Sequence, residues 1–440
     1  MNTPLPNRLL IKLLPYAILI SFLLIKLNEL SFYNSIGILS IILFIISTLT
    51  IRGFKIKPYT VYLLLFGIYV IFSDVVIASK KFEFYGMILK NHFFFFFCFA
   101  NIIENLHISR KELKSMINPL FITVVLSFVV IIVQQVSDPM FLVRPVAENL
   151  ANLDMEASEI RLSSMYTYSS IGDMALYFVP ISALLISYFF KTKKVKLAIT
   201  VVVLTILTTF LSKSRGVLST ALPLLLLIYL GRVKNYSAKK ALTTLFFIVL
   251  ISFPLGWLSE QLKFNAIIQD RILETSKGDF ENKTAYTRII AIQAFAECYP
   301  DAPFFGVGNT KYGVGGKGSW NYKLDSFLAG RSSQIHIGLL ALFYLYGAVG
   351  AFFFIMFCYK LLRRVYIVSK YTHFWGTFWG LMVLPIMNLS MDWFDPFSAG
   401  ILLCIVFNKY LENQIAQNNL DELFSKTNRR QIPARAYPVS

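Results

Sequence analysis

Long uninterrupted apolar runs constrain the fold of this chain more than any other feature of its sequence. A helix needs about 20 apolar residues to cross roughly 30 Å of hydrocarbon, and it satisfies its own backbone hydrogen bonds there. The 440 residues are 56% hydrophobic with a mean hydropathy of +0.62, which is more apolar surface than a soluble domain buries. We predict an all-α polytopic membrane protein with about twelve transmembrane helices. The runs lie at 13–26, 34–50, 60–79, 86–103, 117–136, 166–190, 197–211, 216–230, 241–257, 335–359, 374–389 and 396–410.

The connectors between these runs indicate the orientation in the membrane. Alternate connectors are basic, and the positive-inside rule assigns them to the cytoplasm. They contain Arg52, Lys55 and Lys57; Arg110, Lys111 and Lys114; Lys191, Lys193, Lys194 and Lys196; Arg232, Lys234, Lys239 and Lys240; Arg363, Arg364 and Lys370; and Arg429, Arg430 and Arg435. Both termini are then cytoplasmic, with the first run as an uncleaved helix. The net charge of +18 reflects this asymmetry and contact with anionic lipid headgroups, so it does not indicate a nucleic-acid partner.

Two external connectors are too long to be simple turns, and we expect the functional chemistry there. The predicted organisation is N-terminal transmembrane helices at 1–136, a first external loop at 137–165, transmembrane helices at 166–257, a large external loop with short helices at 258–334, C-terminal transmembrane helices at 335–412 and a basic cytoplasmic tail at 413–440.

A tight external link, SKSRG, carries two basic residues where the positive-inside rule disfavours them. Lys213 and Arg215 lie between two apolar runs, and Arg215 opens the second of these runs. One interpretation is that both side chains extend to lipid phosphates. The other is that they bind an anionic ligand, because a helix N-terminus with a guanidinium group suits a phosphate.

The large external loop supplies further cations. Arg271 precedes, and Arg288 begins, a stretch at 287–298 whose one-sided apolar face predicts a helix on the membrane surface or on the bundle. Arg288 lies at its N-terminal end, so it is a candidate for binding an anion. The alternative is a structural ion pair with Glu281 or Asp279.

A glycine-rich segment follows this stretch. Gly313–Gly318 fits G-x-G-x-x-G formally, but no strand precedes it, and an external loop meets no nucleotides. We expect the glycines of the segment to allow sharp turns or close approach to a sugar. The segment contains Pro303, Gly306, Gly308, Gly313, Gly315, Gly316 and Gly318.

His336 is the strongest single candidate for a catalytic residue in the sequence. It opens the tenth apolar run directly after the large loop, and an imidazole accepts a hydroxyl proton near neutral pH. The alternative role is packing at the helix end. We expect no metal site, although a divalent metal bound by acidic pairs is an open alternative. Those pairs are Asp154 with Glu156, Asp279 with Glu281, and Asp392 with Asp395.

These residues suggest one reaction. An external site has no ATP or nucleotide sugar, so a synthetic reaction there needs a donor that arrives activated, such as a sugar on a polyprenyl diphosphate. Arg215 and Arg288, helped by Lys213 and Arg271, would stabilise the departing diphosphate. His336 would take the proton of the acceptor hydroxyl. Such a displacement needs neither a metal nor a cofactor.

Three motifs in this order resemble the O-antigen ligase/O-antigen polymerase superfamily. They are SKSRG, then TRIIAIQAFAECYPDAPFFGVGNTKYG, then HIGLLALFYLYGAVG with Gly347 and Gly350 after the His. The resemblance implies a glycosyltransferase C-like architecture in the bacterial inner membrane and a periplasmic active site. It also implies metal-free transfer of undecaprenyl-diphosphate-linked glycans by Arg215, Arg288 and His336. Arg161 corresponds to a further basic position in the first periplasmic loop.

The implied partners are the lipid-linked oligosaccharide, a glycan acceptor (a lipid-linked repeat or lipid A core), membrane lipids and, as a candidate, a chain-length regulator. Ile337 replaces the polar residue common after the His in ligases, and Leu345 and Tyr346 replace an acidic residue. These departures favour an O-antigen or exopolysaccharide polymerase over a ligase acting on lipid A core or protein. A transporter or flippase is the alternative from another class, because Asp74, Lys90, His92 and Asp173 fall within or near apolar runs.

Overall fold

A computed structural model shows an all-helical chain. It describes residues 29–51, 53–84, 87–88, 92–137, 141–142, 162, 164, 171–212, 217–218, 220–221, 224–225, 292–293, 295–308, 337–390 and 398–430. These residues contain no strand. The helices are α1 (Glu29–Thr50), α2 (Pro58–Phe72), α3 (His92–Asn105), α4 (Arg110–Val136), α5 (Ile171–Lys191), α6 (Val195–Leu211), α7 (Gly338–Thr372), α8 (Gly376–Ser390) and α9 (Ala399–Arg430).

In the residues that are described, nine of the twelve predicted runs overlap one of these helices; 13–26 and 241–257 lie outside the described residues, and 216–230 is described only in part. By length and composition, four helical stretches are long and apolar enough to cross a membrane: Pro58–Ile77, Arg110–Val136, Met174–Lys191 and Gly338–Thr372. Leu39–Thr50 and Val195–Leu211 are shorter apolar helices. The helical class predicted from the sequence is therefore confirmed, whereas the number of spans stays a prediction.

Local sequence explains where the helices begin. Ser109 and Glu112 form a capping box at the start of α4, in which each side chain accepts the backbone N–H of the other residue. Pro58 opens α2 at a position where its missing N–H costs nothing. The backbone N–H of Lys57, just before that Pro, donates to Asn101 Oδ1 of α3 at 3.1 Å. This bond ties the start of α2 to the end of α3.

The helices pack around α5 and α9. α5 contacts α4, α6, α8 and α9, and α9 also contacts α3, α4, α7 and α8. α2 packs between α3 and α7, and α1 packs on α3. Buried apolar side chains form one continuous core across these contacts, with Phe66, Phe96 and Phe357 among its largest members. This core fixes the helix ends from which the long connectors leave.

Helix α7 extends further than the sequence predicts. The predicted run ended at residue 359, and Arg363, Arg364 and Lys370 were assigned to a connector, whereas the helix continues to Thr372. A hydropathy scale treats Arg364 as a charge that ends an apolar helix. In the structure, Arg364 forms ion pairs with Glu104 of α3 and Glu412 of α9. Because the charge is compensated, the helix passes through this position without a break.

Candidate functional site

A short aromatic turn packs on α7. Ile292, Gln293 and Phe295–Cys298 are helical, which confirms part of the helix predicted at 287–298, and a 3₁₀ turn follows at Tyr299–Asp301. The Phe295 and Tyr299 rings stack at 4.8 Å between centroids. Tyr299 also meets Phe343 of α7 edge-on at 6.1 Å, and its hydroxyl donates to Pro303 O at 3.0 Å. The described end of this stretch therefore packs on the helix bundle.

The next residues, Pro303–Gly308, insert their backbone into a break in α7. We call them the docking loop. The break lies at Gly347, which has φ +62° and ψ −171° inside the helix. Four backbone hydrogen bonds join the two segments: Val307 N to Tyr344 O (3.1 Å), Gly308 N to Leu345 O (2.8 Å), Ala348 N to Pro303 O (2.9 Å) and Val349 N to Phe304 O (3.1 Å). The loop thus satisfies backbone groups that a broken helix leaves without intrahelical partners.

The contact requires glycine on both sides. A Cβ on Gly306 would lie 2.5 Å from Gly347 N, and a Cβ on Gly347 would collide with Phe304 O. Both residues also have positive φ, at +73° and +62°, where a side chain is strained. The turning role predicted for Gly306 and Gly308 is confirmed. The close approach at Gly306 is to the backbone of α7; for Gly313–Gly318, the proposed approach to a sugar stays a prediction.

Helix α2 closes the other side of the docking loop. The Tyr69 hydroxyl donates to Phe305 O at 2.9 Å, and a Cβ on Gly308 would lie 2.9 Å from Ser73 O. At this point α2 widens into a π-helix, Ser73–Ile77, where Ala78 N donates to Ser73 O. π-Helical turns occur frequently at functional sites. The loop is therefore held between two helices that are far apart in the sequence.

A second segment, described at Leu162 and Ser164, is fixed through a buried amide. Gln134, near the end of α4, donates to Ser164 O (2.9 Å) and accepts from Ser164 N (2.8 Å). Ser164 Oγ donates to Ser127 O. Leu162 N donates to Ser212 O at 3.2 Å, at the C-terminal end of α6. All five residues that these hydrogen bonds join are buried.

The predicted site residues lie outside the residues that the structure describes, so their positions stay predictions. This holds for His336, Arg288, Arg215, Lys213, Arg271 and Arg161. It also holds for the acidic pairs considered as metal ligands. In the described ranges, no group of three or more His, Cys, Asp or Glu residues could hold a metal ion.

The described neighbours of the candidates do meet. Leu162 directly follows Arg161, and Ser212 directly precedes Lys213, so the Leu162–Ser212 bond joins the two chain segments at these points. The docking loop follows the stretch that begins near Arg288, and it pairs with the helix that begins two residues after His336. The first contact thus joins the immediate neighbours of Arg161 and Lys213, and the second joins the longer segments that follow Arg288 and His336.

An ion cluster that sequence reasoning missed lies further along α7. The Arg364 guanidinium binds both oxygens of Glu104 and both oxygens of Glu412. Tyr59 of α2 donates to Glu104 Oε1 at 2.9 Å, and its ring lies 5.8 Å from the guanidinium carbon. The signal in the sequence was one Glu near the end of a Phe-rich run, HFFFFFCFANIIEN. A lone carboxylate in such surroundings requires a cationic partner.

Comparison with known families agrees with the resemblance seen in the motifs. The long apolar helices suggest a membrane protein. Residues 200–355 match the family model described as O-antigen ligase, which supports the O-antigen ligase/polymerase superfamily. The matched segment includes Lys213, Arg215, Arg271, Arg288 and His336, while Arg161 lies before it. No curated protein matches the chain significantly. Members of the matched family are glycosyltransferase-like enzymes with lipid-linked glycan substrates.

Proposed function

We propose that this protein is a periplasmic polymerase of O-antigen or another surface polysaccharide. It would transfer an oligosaccharide from undecaprenyl diphosphate to a sugar hydroxyl on a second lipid-linked repeat. The family match supports the general class of reaction. The geometric observation that carries the proposal is the pairing of the docking loop with the break in α7. It joins the segment that follows Arg288 to the helix that follows His336.

The proposed chemistry is a single displacement. The acceptor oxygen forms a bond to the anomeric carbon of the donor, and the bond from that carbon to the diphosphate oxygen breaks. His336 takes the proton of the acceptor hydroxyl, and the electron pair of the broken bond leaves with undecaprenyl diphosphate. Arg215 and Arg288 stabilise the added negative charge on the leaving group, with Lys213, Arg271 and Arg161 as further diphosphate or substrate contacts. No metal or other cofactor has a step in this scheme.

The contact between Leu162 and Ser212 supports a shared site for the basic residues. Arg161 and Lys213 come from two different connectors, and the bond between their neighbours brings those connectors together on the same side as the end of α4. Two buried hydrogen bonds between Gln134 and Ser164 fix the chain two residues after Leu162. In the proposed scheme, Arg161 and Lys213 then lie close enough in the chain fold to act on one anionic ligand.

Ligase activity is the second candidate, because the matched family is described as O-antigen ligase. It would use the same donor and the same cations with a different acceptor, lipid A core or a protein. A deletion strain separates the two. Surface glycan reduced to a single repeat indicates a lost polymerase, and full-length chains retained on undecaprenyl diphosphate indicate a lost ligase. The latter result would overturn the polymerase proposal.

A transporter or flippase is less well supported. In transporters, the backbone freed at a broken helix typically coordinates the transported ion or substrate. In α7, the freed carbonyls of Tyr344 and Leu345 accept hydrogen bonds from the docking loop instead. Transfer by the purified protein of a lipid-linked oligosaccharide in detergent would exclude the transporter reading. A protein that moves the lipid-linked glycan across vesicles without forming a glycosidic bond would support it.

The residue roles are tested by three substitutions made in cells and in the purified protein. We expect Arg288→Ala, Arg215→Ala and His336→Ala each to lower transfer by about 100-fold or more, because each removes charge stabilisation or the general base. Lys196→Ala, an exposed lysine after α6 begins, is the matched control and is expected to retain wild-type transfer. Full transfer by any of the three variants would remove that residue from the site.

A further inference from the structure

The docking loop is held by α7 on one side and by α2 on the other. Its amides and carbonyls bond to α7, while the carbonyl of Phe305 bonds to the Tyr69 hydroxyl of α2 at 2.9 Å. The Phe305 side chain itself is 56% exposed, so the backbone holds this residue in place. The Tyr69 hydroxyl therefore fixes the middle of the loop through one carbonyl.

The Tyr69 ring is as constrained as its hydroxyl. It is buried, it lies 6.3 Å from the Phe353 ring, and a Cβ on Gly350 would lie 2.9 Å from its Cε1. The absence of a side chain at Gly350 leaves the space through which the Tyr69 ring passes α7 and reaches the docking loop. Since the ring cannot move toward α7, the hydroxyl position is set by packing and the loop carbonyl is fixed in turn.

We propose that Tyr69 is a positioning residue for the transfer reaction. It holds the docking loop in register with the break in α7 and so fixes the segment behind Arg288 relative to the helix after His336. Tyr69 lies outside the matched segment, residues 200–355, and it touches neither substrate nor leaving group in this scheme. The inference rests on the proposed glycan transfer and adds a residue from the N-terminal helices to it.

A positioning role predicts an effect on turnover more than on donor binding. The groups that bind the diphosphate remain when the hydroxyl is lost, but the distance from the base to the anomeric carbon is less well held. One neutral hydrogen bond is worth about 1 kcal/mol, which corresponds to about a fivefold change in rate. We therefore expect kcat to fall about fivefold while KM for the donor changes less than about twofold.

The test compares Tyr69→Phe with Tyr62→Phe in lipid nanodiscs supplied with a lipid-linked oligosaccharide. Both substitutions remove one phenolic hydroxyl from α2, two helical turns apart, and Tyr62 packs its ring on Phe352 at 6.5 Å. We expect Tyr62→Phe to retain wild-type kinetics. Equal kcat values for the two variants, or a change confined to KM, would overturn the inference.

Hydrogen exchange provides a readout that does not depend on activity. Val307 N and Gly308 N are hydrogen-bonded to α7, and their exchange should accelerate about fivefold in Tyr69→Phe and stay unchanged in Tyr62→Phe. Unchanged exchange in both variants would also overturn the inference. A wild-type protein that fails to transfer the oligosaccharide would overturn the proposed function itself. An active wild type with two equal variants would overturn only the role of Tyr69.

Discussion

Two points on α7 are joined to the rest of the protein by different kinds of contact, one through the backbone and one through side chains. At the break, backbone meets backbone: four N–H···O bonds link the docking loop to residues 344–349, and glycine makes the approach possible. At Arg364, 17 residues further along, side chains meet: one guanidinium holds two carboxylates from α3 and α9. The first joint positions the docking loop, which follows the stretch that begins near the candidate Arg288. The second binds helices together through charge.

The difference shows which joint tolerates sequence change. The docking loop exposes Phe304 and Phe305, at 67% and 56%, because its fixed part is the backbone. Side chains there can vary without loss of the hydrogen bonds. The ion cluster has the reverse property, since its energy resides entirely in side-chain identity. Removing the guanidinium leaves Glu104 buried and without its cation.

Arg364→Ala tests the ionic joint and has the largest expected effect. It leaves Glu104, which is 1% exposed, without its cation, and the cost of breaking such a buried pair is about 3–5 kcal/mol. The measurement is the free energy of unfolding in mixed detergent micelles. Arg363→Ala is the matched control, because Arg363 is exposed and its loss should change stability by less than about 0.5 kcal/mol. Similar losses in both variants would show that the cluster contributes little.

Gly347→Ala tests the backbone joint. The added Cβ collides with Phe304 O and is held at φ +62°, so we expect a loss of about 2–4 kcal/mol together with loss of transfer activity. Gly53→Ala separates the two causes. Gly53 also has positive φ, +73°, but nothing lies within 4 Å of its Cβ position, so only about 1 kcal/mol should be lost. A Gly347 variant no less stable than the Gly53 variant would show that the loop can move away.

Gln134→Leu tests whether the segment at Leu162 and Ser164 depends on a side chain, as the ionic joint does. The change leaves Ser164 N and Ser164 O without their partner and should cost about 1–3 kcal/mol. Gln135→Leu is the control, because the buried Gln135 Oε1 has no hydrogen-bond partner in the part of the chain that is described. That substitution should be neutral or slightly stabilising. If the two variants lose the same stability, the amide of Gln134 does not hold the segment.

Sequence reasoning succeeded where local pattern decides and stopped where distant partners decide. Apolar runs predicted helices such as α2 and α5 because burial in an apolar environment depends on composition over about 20 residues. Gly347 and Gly350 were noticed for their spacing after His336. Their partners, the docking loop and Tyr69, could not be predicted, because nothing local to a glycine indicates what approaches it.

The ion pair of Arg364 and Glu104 shows the same limit, because its partners are distant in the sequence. Arg364 and Glu104 are 260 residues apart, so a count of charges assigned Arg364 to a connector and gave Glu104 no role. The motifs predicted which residues form the candidate site. The structure describes only the chain segments beside those residues. Arg215, Arg288 and His336 therefore stay predictions, while the segments beside Arg161 and Lys213 have a described contact.

The smallest expected effect is a coupling energy near zero between the two joints of α7. Seventeen helical residues separate Gly347 from Arg364 by about 25 Å, and effects at such distances usually add within about 0.5 kcal/mol. Tyr59→Phe weakens the ion cluster mildly by removing the donor to Glu104, so it can be combined with Gly347→Ala without unfolding the protein. The double variant should lose the sum of the two single losses. A coupling above about 1 kcal/mol would mean that α7 transmits strain along its length, and the docking loop could then respond to charge at the other end of the helix.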